Sequence, residues 1–87
     1  MPDWYVYVLR CVDETLYTGV TVDLERRVVE HNQNDRLAAK YTRPRRPVEL
    51  VYSELLPTRA AACQREMAIK NMKKREKEKL ISNSEQN

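Results

Sequence analysis

The feature that most restricts the fold stands near the N-terminus. In WYVYVLRCVDETLYTGV, residues 4–20, β-branched and aromatic side chains recur at every second position on either side of a polar DET. A period of two over Trp4–Val12 favours a strand over a helix, and Leu16–Val20 reads as its antiparallel partner. The connecting Asp13-Glu14-Thr15 is turn-like, although a three-residue hairpin loop ordinarily takes a glycine in the left-handed position and none is present there. With three residues in the turn, Val12 pairs with Leu16 and the odd-numbered positions of both strands share a face. Tyr17 and Gly19 then join Tyr5 and Tyr7, whereas a two-residue turn reverses this. Under the first register one face carries phenol hydroxyls and a bare glycine backbone, and the other carries Val6, Val8, Thr18 and Val20.

The periodicity changes at Thr21. Asp23 is placed to cap a helix from about Leu24 to Asn32, on which Leu24, Val28 and His31 fall at i, i+4 and i+7. Residues 35–47 are polar and basic and end in RPRRP, so a loop is expected, with one short helical turn around Leu37–Lys40. VELVYSE, residues 48–54, alternates and reads as a third strand. Thr58 is placed to cap a long helix running through Ala60–Ala62 to about Leu80, with KNMKKREKEK as a largely solvated charged face. The order β-β-α-β-α gives an α/β (α+β) fold, a small three-stranded antiparallel sheet flanked by helices. It forms a single domain over residues 1–82, followed by a frayed tail over 83–87.

Size and composition bound the function. A chain of 87 residues supports one modest core. No apolar run approaches the ~18 residues of a membrane span, and Met1-Pro2-Asp3 leads straight into a strand pattern rather than a signal peptide, so a cytoplasmic protein without a membrane partner is expected. Cys11 and Cys63, far apart and without a CxxC or histidine cluster, read as core residues. The net charge of +3 suits a phosphate-bearing partner without demanding one.

Some placements resist a pure packing account. Arg27 and His31 lie beside the Leu24/Val28 stripe that must face the sheet. Either Arg27 snorkels past the core edge and His31 satisfies a backbone carbonyl, or the two are donors lining a groove. Ala62, Glu66 and Ile69, at i, i+4 and i+7, put a carboxylate on the flank of a packed strip, where it needs an arginine or a metal.

Taken in order, these residues make the chain resemble the GIY-YIG nuclease superfamily over Trp4–Ile81, and it looks most like the small stand-alone proteins that consist of that domain. Tyr5-Val6-Tyr7 corresponds to the first triplet and Tyr17-Thr18-Gly19 to the second. VTVDLERRVVEH is similar to the family's helix, with its arginine at Arg27 and its histidine at His31. YTRPRRPVELVYSE resembles the segment leading into the third strand, and in AACQREMAIKNMKK Glu66 matches the metal-binding glutamate. Tyr5 stands where the first triplet has glycine and Thr18 where the second has isoleucine. Val20 stands where some relatives carry lysine. For the late asparagine of some family nucleases only Asn71 and Asn83 are candidates, and neither aligns.

The resemblance implies a metal-dependent endonuclease that hydrolyses phosphodiester bonds in DNA, branched or single-stranded, in repair or recombination. Its site residues would be Tyr7, Tyr17, Arg27, His31 and Glu66, with a single Mg²⁺ or Mn²⁺ on Glu66. Arg27 then donates to the scissile phosphate, Tyr7 or Tyr17 is the general base, and His31 is a proton relay or hydrogen-bond partner. Lys40, Arg43, Arg45 and Arg46, in a proline-stiffened loop, either grip phosphates or are ordinary solvated charges. Without a targeting domain such a nuclease relies on DNA structure or a partner protein. The competing reading is a non-catalytic nucleic-acid-binding or interaction module that retains the nuclease fold.

Overall fold

The computed structural model describes residues 3–85, the side chain of Glu85 excepted. In chain order the elements are β1 (Trp4–Arg10), β2 (Leu16–Thr21), α1 (Leu24–Gln33), a 3₁₀ turn (Arg43–Arg45), β3 (Glu49–Leu56), α2 (Arg59–Lys70) and α3 (Lys74–Glu85). The three strands form an antiparallel sheet in the order β2-β1-β3.

The hairpin loop has five residues rather than three. Cys11 N–H donates to the Thr15 carbonyl at 2.8 Å and Glu14 N–H to the Cys11 carbonyl at 2.9 Å. Glu14 takes the left-handed conformation, φ 69°, that a glycine would take more cheaply. The Asp13 carboxylate stabilises the turn by accepting from both the backbone and the hydroxyl of Thr15. Arg10 therefore pairs with Leu16, and Tyr7 lies opposite Gly19. The pairing is shifted by two from the expected Val12–Leu16 register, and an even shift preserves faces. Tyr5, Tyr7, Tyr17 and Gly19 do lie together.

Helices cover both faces of the sheet, which is why Val6, Tyr7, Val8 and Leu9 of the central strand are all buried. Val6 and Val8 pack with Ile69 of α2 and Ile81 of α3. Tyr7 and Leu9 pack with Cys11 and Val48 under Leu24 and Val28 of α1. In β3, Val51 is an extra residue between the Val8–Tyr52 and Leu9–Leu50 pairs. This bulge lets both Val51 and Tyr52 contribute to the α2/α3 side. Asp23 and Thr58 cap α1 and α2 as expected, accepting from the amides of Arg26 and Ala61.

Strand ends differ from expectation by up to two residues, β1 stopping at Arg10 and β3 running to Leu56, and three larger differences concern the C-terminal helix, the basic loop and the tail. The single long C-terminal helix is two helices. A straight helix from Arg59 to Leu80 would be about 33 Å long, the full 33 Å of the molecule's longest dimension. The break after Lys70 instead turns Met72, Leu80 and Ile81 back onto the sheet, and the Glu76 carboxylate caps the restart by accepting Lys73 N–H at 2.9 Å. The charged run is not solvated throughout, because Glu78 accepts from both terminal nitrogens of Arg10, at 2.8 and 2.7 Å.

The helical turn of the basic loop is at Arg43–Arg45 rather than Leu37–Lys40. Pro44 has the fixed φ of a first helical turn, while upstream the Asn34 side chain caps an isolated turn by accepting from the amides of Arg36 and Leu37, and Ala38 N–H closes it on the Asn34 carbonyl at 2.9 Å. Finally, α3 runs to Glu85, so Asn83 and Ser84 are helical rather than frayed. Residues 86 and 87, also expected in the tail, and Met1 and Pro2 lie outside the described residues. Among the described residues no helix is long and apolar enough to cross a membrane.

Candidate active site

Gly19 is the only glycine of the chain, and the reason for it is lateral. A Cβ there would lie 2.5 Å from the Tyr7 hydroxyl oxygen and 2.6 Å from Cζ. The phenol of Tyr7 is thus laid across the backbone of β2, toward the free edge of the sheet, and only a missing side chain permits it.

At that position the Tyr7 hydroxyl is 2.8 Å from His31 Nε2. The imidazole, wholly buried, is held from its other side by the Thr42 hydroxyl, 3.0 Å from Nδ1, and by the Ala39 amide, 3.4 Å from Nδ1. Burial takes His31 down to about 4, with the charges of Arg27 and Arg46 acting in the same direction against the opposing pull of Glu30. It is therefore neutral at pH 7. Burial likewise pushes the Tyr7 phenol up to about 12. A hydrogen bond and charge from Arg27 oppose this, and the nearby Tyr17 and Glu66 add to it.

Arg27 reaches Tyr7 from one helical turn before His31. One terminal nitrogen is committed to Glu30 at 2.9 Å and to the Leu37 carbonyl at 2.7 Å, which fixes the plane of the guanidinium. Glu66 arrives from α2, on the other face of the sheet, and is near enough for its charge to act on Tyr7. Both faces converge because β2 is an edge strand. The partner of Glu66 is a lysine rather than the expected arginine: Lys70, 3.3 Å away in the next turn of the helix.

Tyr17 stands in an aromatic column. Its ring is edge-on to His31 at 5.4 Å and stacked on Tyr41 at 6.1 Å, with the Arg45 guanidinium 4.0 Å above the Tyr41 ring. The basic loop divides accordingly. Arg45 donates to Asp13 and to the Tyr41 carbonyl. Arg46 donates to the His31 carbonyl at 2.7 Å and to Asp35 at 2.8 Å. These two tie the loop to the hairpin and to the end of α1, while Lys40 and Arg43 are exposed.

The five residues expected at one site are thus gathered around the β2 edge from β1, β2, α1 and α2. The profile of the GIY-YIG catalytic domain matches residues 3–79. The chain belongs to the GIY-YIG family. Its relatives include a UPF0213 protein of Natronomonas pharaonis, 54% identical over 92% of both chains. Another, from Desulfotalea psychrophila, is 48% identical over 97% of this chain and 76% of its own. Among solved structures, the UPF0213 protein of Bacillus halodurans superposes with a TM-score of 0.58 at 40% identity, covering 92% of this chain and 83% of that one. A protein of E. faecalis superposes with 0.67 at 37%, covering 100% and 91%.

Within this GIY-YIG domain the two candidates for a late asparagine lie elsewhere. Asn71 ends α2, and Asn83 sits on α3 beside Tyr52 and Leu80. Thr42, Tyr41 and the Ala39 amide escaped sequence reasoning. They sit in an aperiodic loop eight to eleven positions from His31, where no spacing rule links them to it. The one available signal was the small, apolar Ala38-Ala39 within a basic segment, which marks a point where the loop is buried.

Proposed function

We propose that this protein is a metal-dependent DNA endonuclease working in the cytoplasm, and that Tyr7 rather than Tyr17 handles the proton of the attacking water. Membership of a nuclease domain family supports a nucleic-acid substrate. The observation that carries the choice of tyrosine is the 2.8 Å contact between the Tyr7 hydroxyl and His31 Nε2, beside the oriented Arg27. In the reacting complex Tyr7 first releases its phenol proton to solvent, its phenolate oxygen then takes a proton from the attacking water, the water oxygen bonds to phosphorus, and the bond from phosphorus to the 3′ oxygen breaks. Arg27 balances the charge that accumulates on the non-bridging oxygens.

Among the described residues no group of three side chains is arranged to cage a metal. Glu66 alone, with one flexible lysine as its partner, fits a largely hydrated Mg²⁺ or Mn²⁺, which needs only one or two carboxylates. Such an ion would supply positive charge to the phosphate and to the leaving oxygen.

The test is cleavage of duplex, flap, junction and single-stranded DNA, and of RNA, with Mg²⁺ or Mn²⁺. Products should form on branched or single-stranded DNA, and Glu66→Ala should remove them with little change in the melting curve, because a partly exposed ion pair within one helix contributes little stability. Cleavage that survives Glu66→Ala would reject the metal assignment. Metal-independent gel shifts without products would reject the enzyme in favour of a binding module.

A further inference from the structure

We infer that the Ala39–Thr42 segment positions His31 in a single tautomer, protonated at Nε2, so that the histidine donates to the Tyr7 oxygen instead of accepting its proton. Thr42 is the positioning residue whose side chain completes this arrangement. The inference rests on the nuclease reading for its catalytic consequence, but not for the tautomer.

Hydrogen-bond donors around the ring decide the tautomer. A neutral imidazole has one N–H and one bare nitrogen, and the partners of each nitrogen decide which is which. Nδ1 faces the backbone N–H of Ala39 at 3.4 Å, and a backbone amide can only donate. An Nδ1–H would set two donors against each other in a fully buried site. The second neighbour, Thr42 Oγ1 at 3.0 Å, is adaptable, since a hydroxyl either donates or accepts.

Thr42 Oγ1 is also placed to donate to the Ala39 carbonyl at 3.0 Å, so its one proton has two acceptors within reach. That carbonyl already accepts the amides of Thr42 at 3.1 Å and Arg43 at 3.3 Å, whereas Nδ1 has only the Ala39 amide, so the hydroxyl proton gains more by turning to Nδ1. With two donors on Nδ1 the proton resides on Nε2, 2.8 Å from the Tyr7 oxygen. Thr42 is 0% exposed, so no water substitutes for its hydroxyl. The Tyr7 oxygen then receives an N–H from His31 and feels the nearby positive charge of Arg27. Both favour the phenolate over the phenol.

The chain has one histidine, so long-range ¹H–¹⁵N correlation spectra of the imidazole at pH 7 report on His31 alone. The expected pattern is a protonated, pyrrole-type Nε2 and a bare, pyridine-type Nδ1. A protonated Nδ1, or both nitrogens at averaged shifts, would overturn the inference whether or not the protein cleaves DNA. Thr42→Val, which keeps the shape and removes the hydroxyl, should move both nitrogens toward averaged shifts and slow cleavage at least tenfold. Thr42→Ser should restore both. Unchanged shifts and rate in folded Thr42→Val protein would show that Thr42 has no positioning role. If the wild-type spectra show the Nε2–H tautomer and no substrate is cut, the nuclease reading fails and the tautomer stands.

Discussion

At the scale of single residues, the site depends on Gly19 and His31. Gly19→Ala places a methyl group 2.5 Å from the Tyr7 hydroxyl, so the ring must leave β2 and with it His31. The expected cost is about 1–3 kcal/mol, the usual penalty of overpacking, read as a lower denaturation midpoint, together with loss of cleavage. His31 gives a pH signature of definite sign. Its pKa falls from 6.5 in the unfolded chain to about 4 in the fold, so between those values the unfolded chain binds the extra proton. The stabilisation is complete above pH 6.5 and declines as pH drops through 4, by up to roughly 3 kcal/mol at about 1.4 kcal/mol per unit. Titration of its imidazole protons should show a midpoint near 4, and a midpoint near 6.5 would mean that the imidazole is not buried as described. Arg27, His31 and Glu66 were legible as residues because a cation or carboxylate beside an apolar stripe is visible from spacing, and Tyr7 and Tyr17 because alternation puts them on one face of the hairpin and at the family's triplets. Thr42 was not, because its role exists only through contact.

At the scale of elements, α3 keeps its charged run largely solvated and joins the core just beyond it, through Leu80 and Ile81. Ile81, 3% exposed, seals the Val6/Val8 side of the sheet. Ile81→Ala should cost about 2–5 kcal/mol, where a surface position would cost almost nothing. The bidentate Arg10–Glu78 pair, its side chains 26% and 36% exposed, should show a coupling of about 1 kcal/mol or less in a double-mutant cycle. The capping residues Asp23 and Thr58 announced their helices because an N-cap is a local device. The break between α2 and α3 was hidden because it answers to the width of the sheet beneath, and the Leu16 register was off by two because a left-handed Glu14 replaced the glycine such loops usually take.

For the whole molecule, the question is which positive charges remain available to a polyanion. Arg45 and Arg46 are spent on Asp13, Asp35 and backbone carbonyls, while Lys40 and Arg43 are exposed. Replacing Lys40 and Arg43 together by alanine should weaken DNA binding and flatten its salt dependence by about two phosphate contacts, with melting unchanged. Arg46→Ala should instead lower stability by about 1–3 kcal/mol, because the carbonyl of buried His31 loses a charged donor. Alternation along Trp4–Arg10, helical spacing along Leu24–His31 and the capping residues fixed the identity and order of most elements, since each depends on neighbours a few positions away. The order of the site residues was sufficient to resemble a family. Only the folded chain decided that Tyr7 crosses β2 at Gly19 to reach His31, that Thr42 closes the network from behind, and that the basic loop divides into half-buried anchors and exposed charges. Those contacts join positions 11 to 32 residues apart, and their geometry arises when the sheet and helices pack.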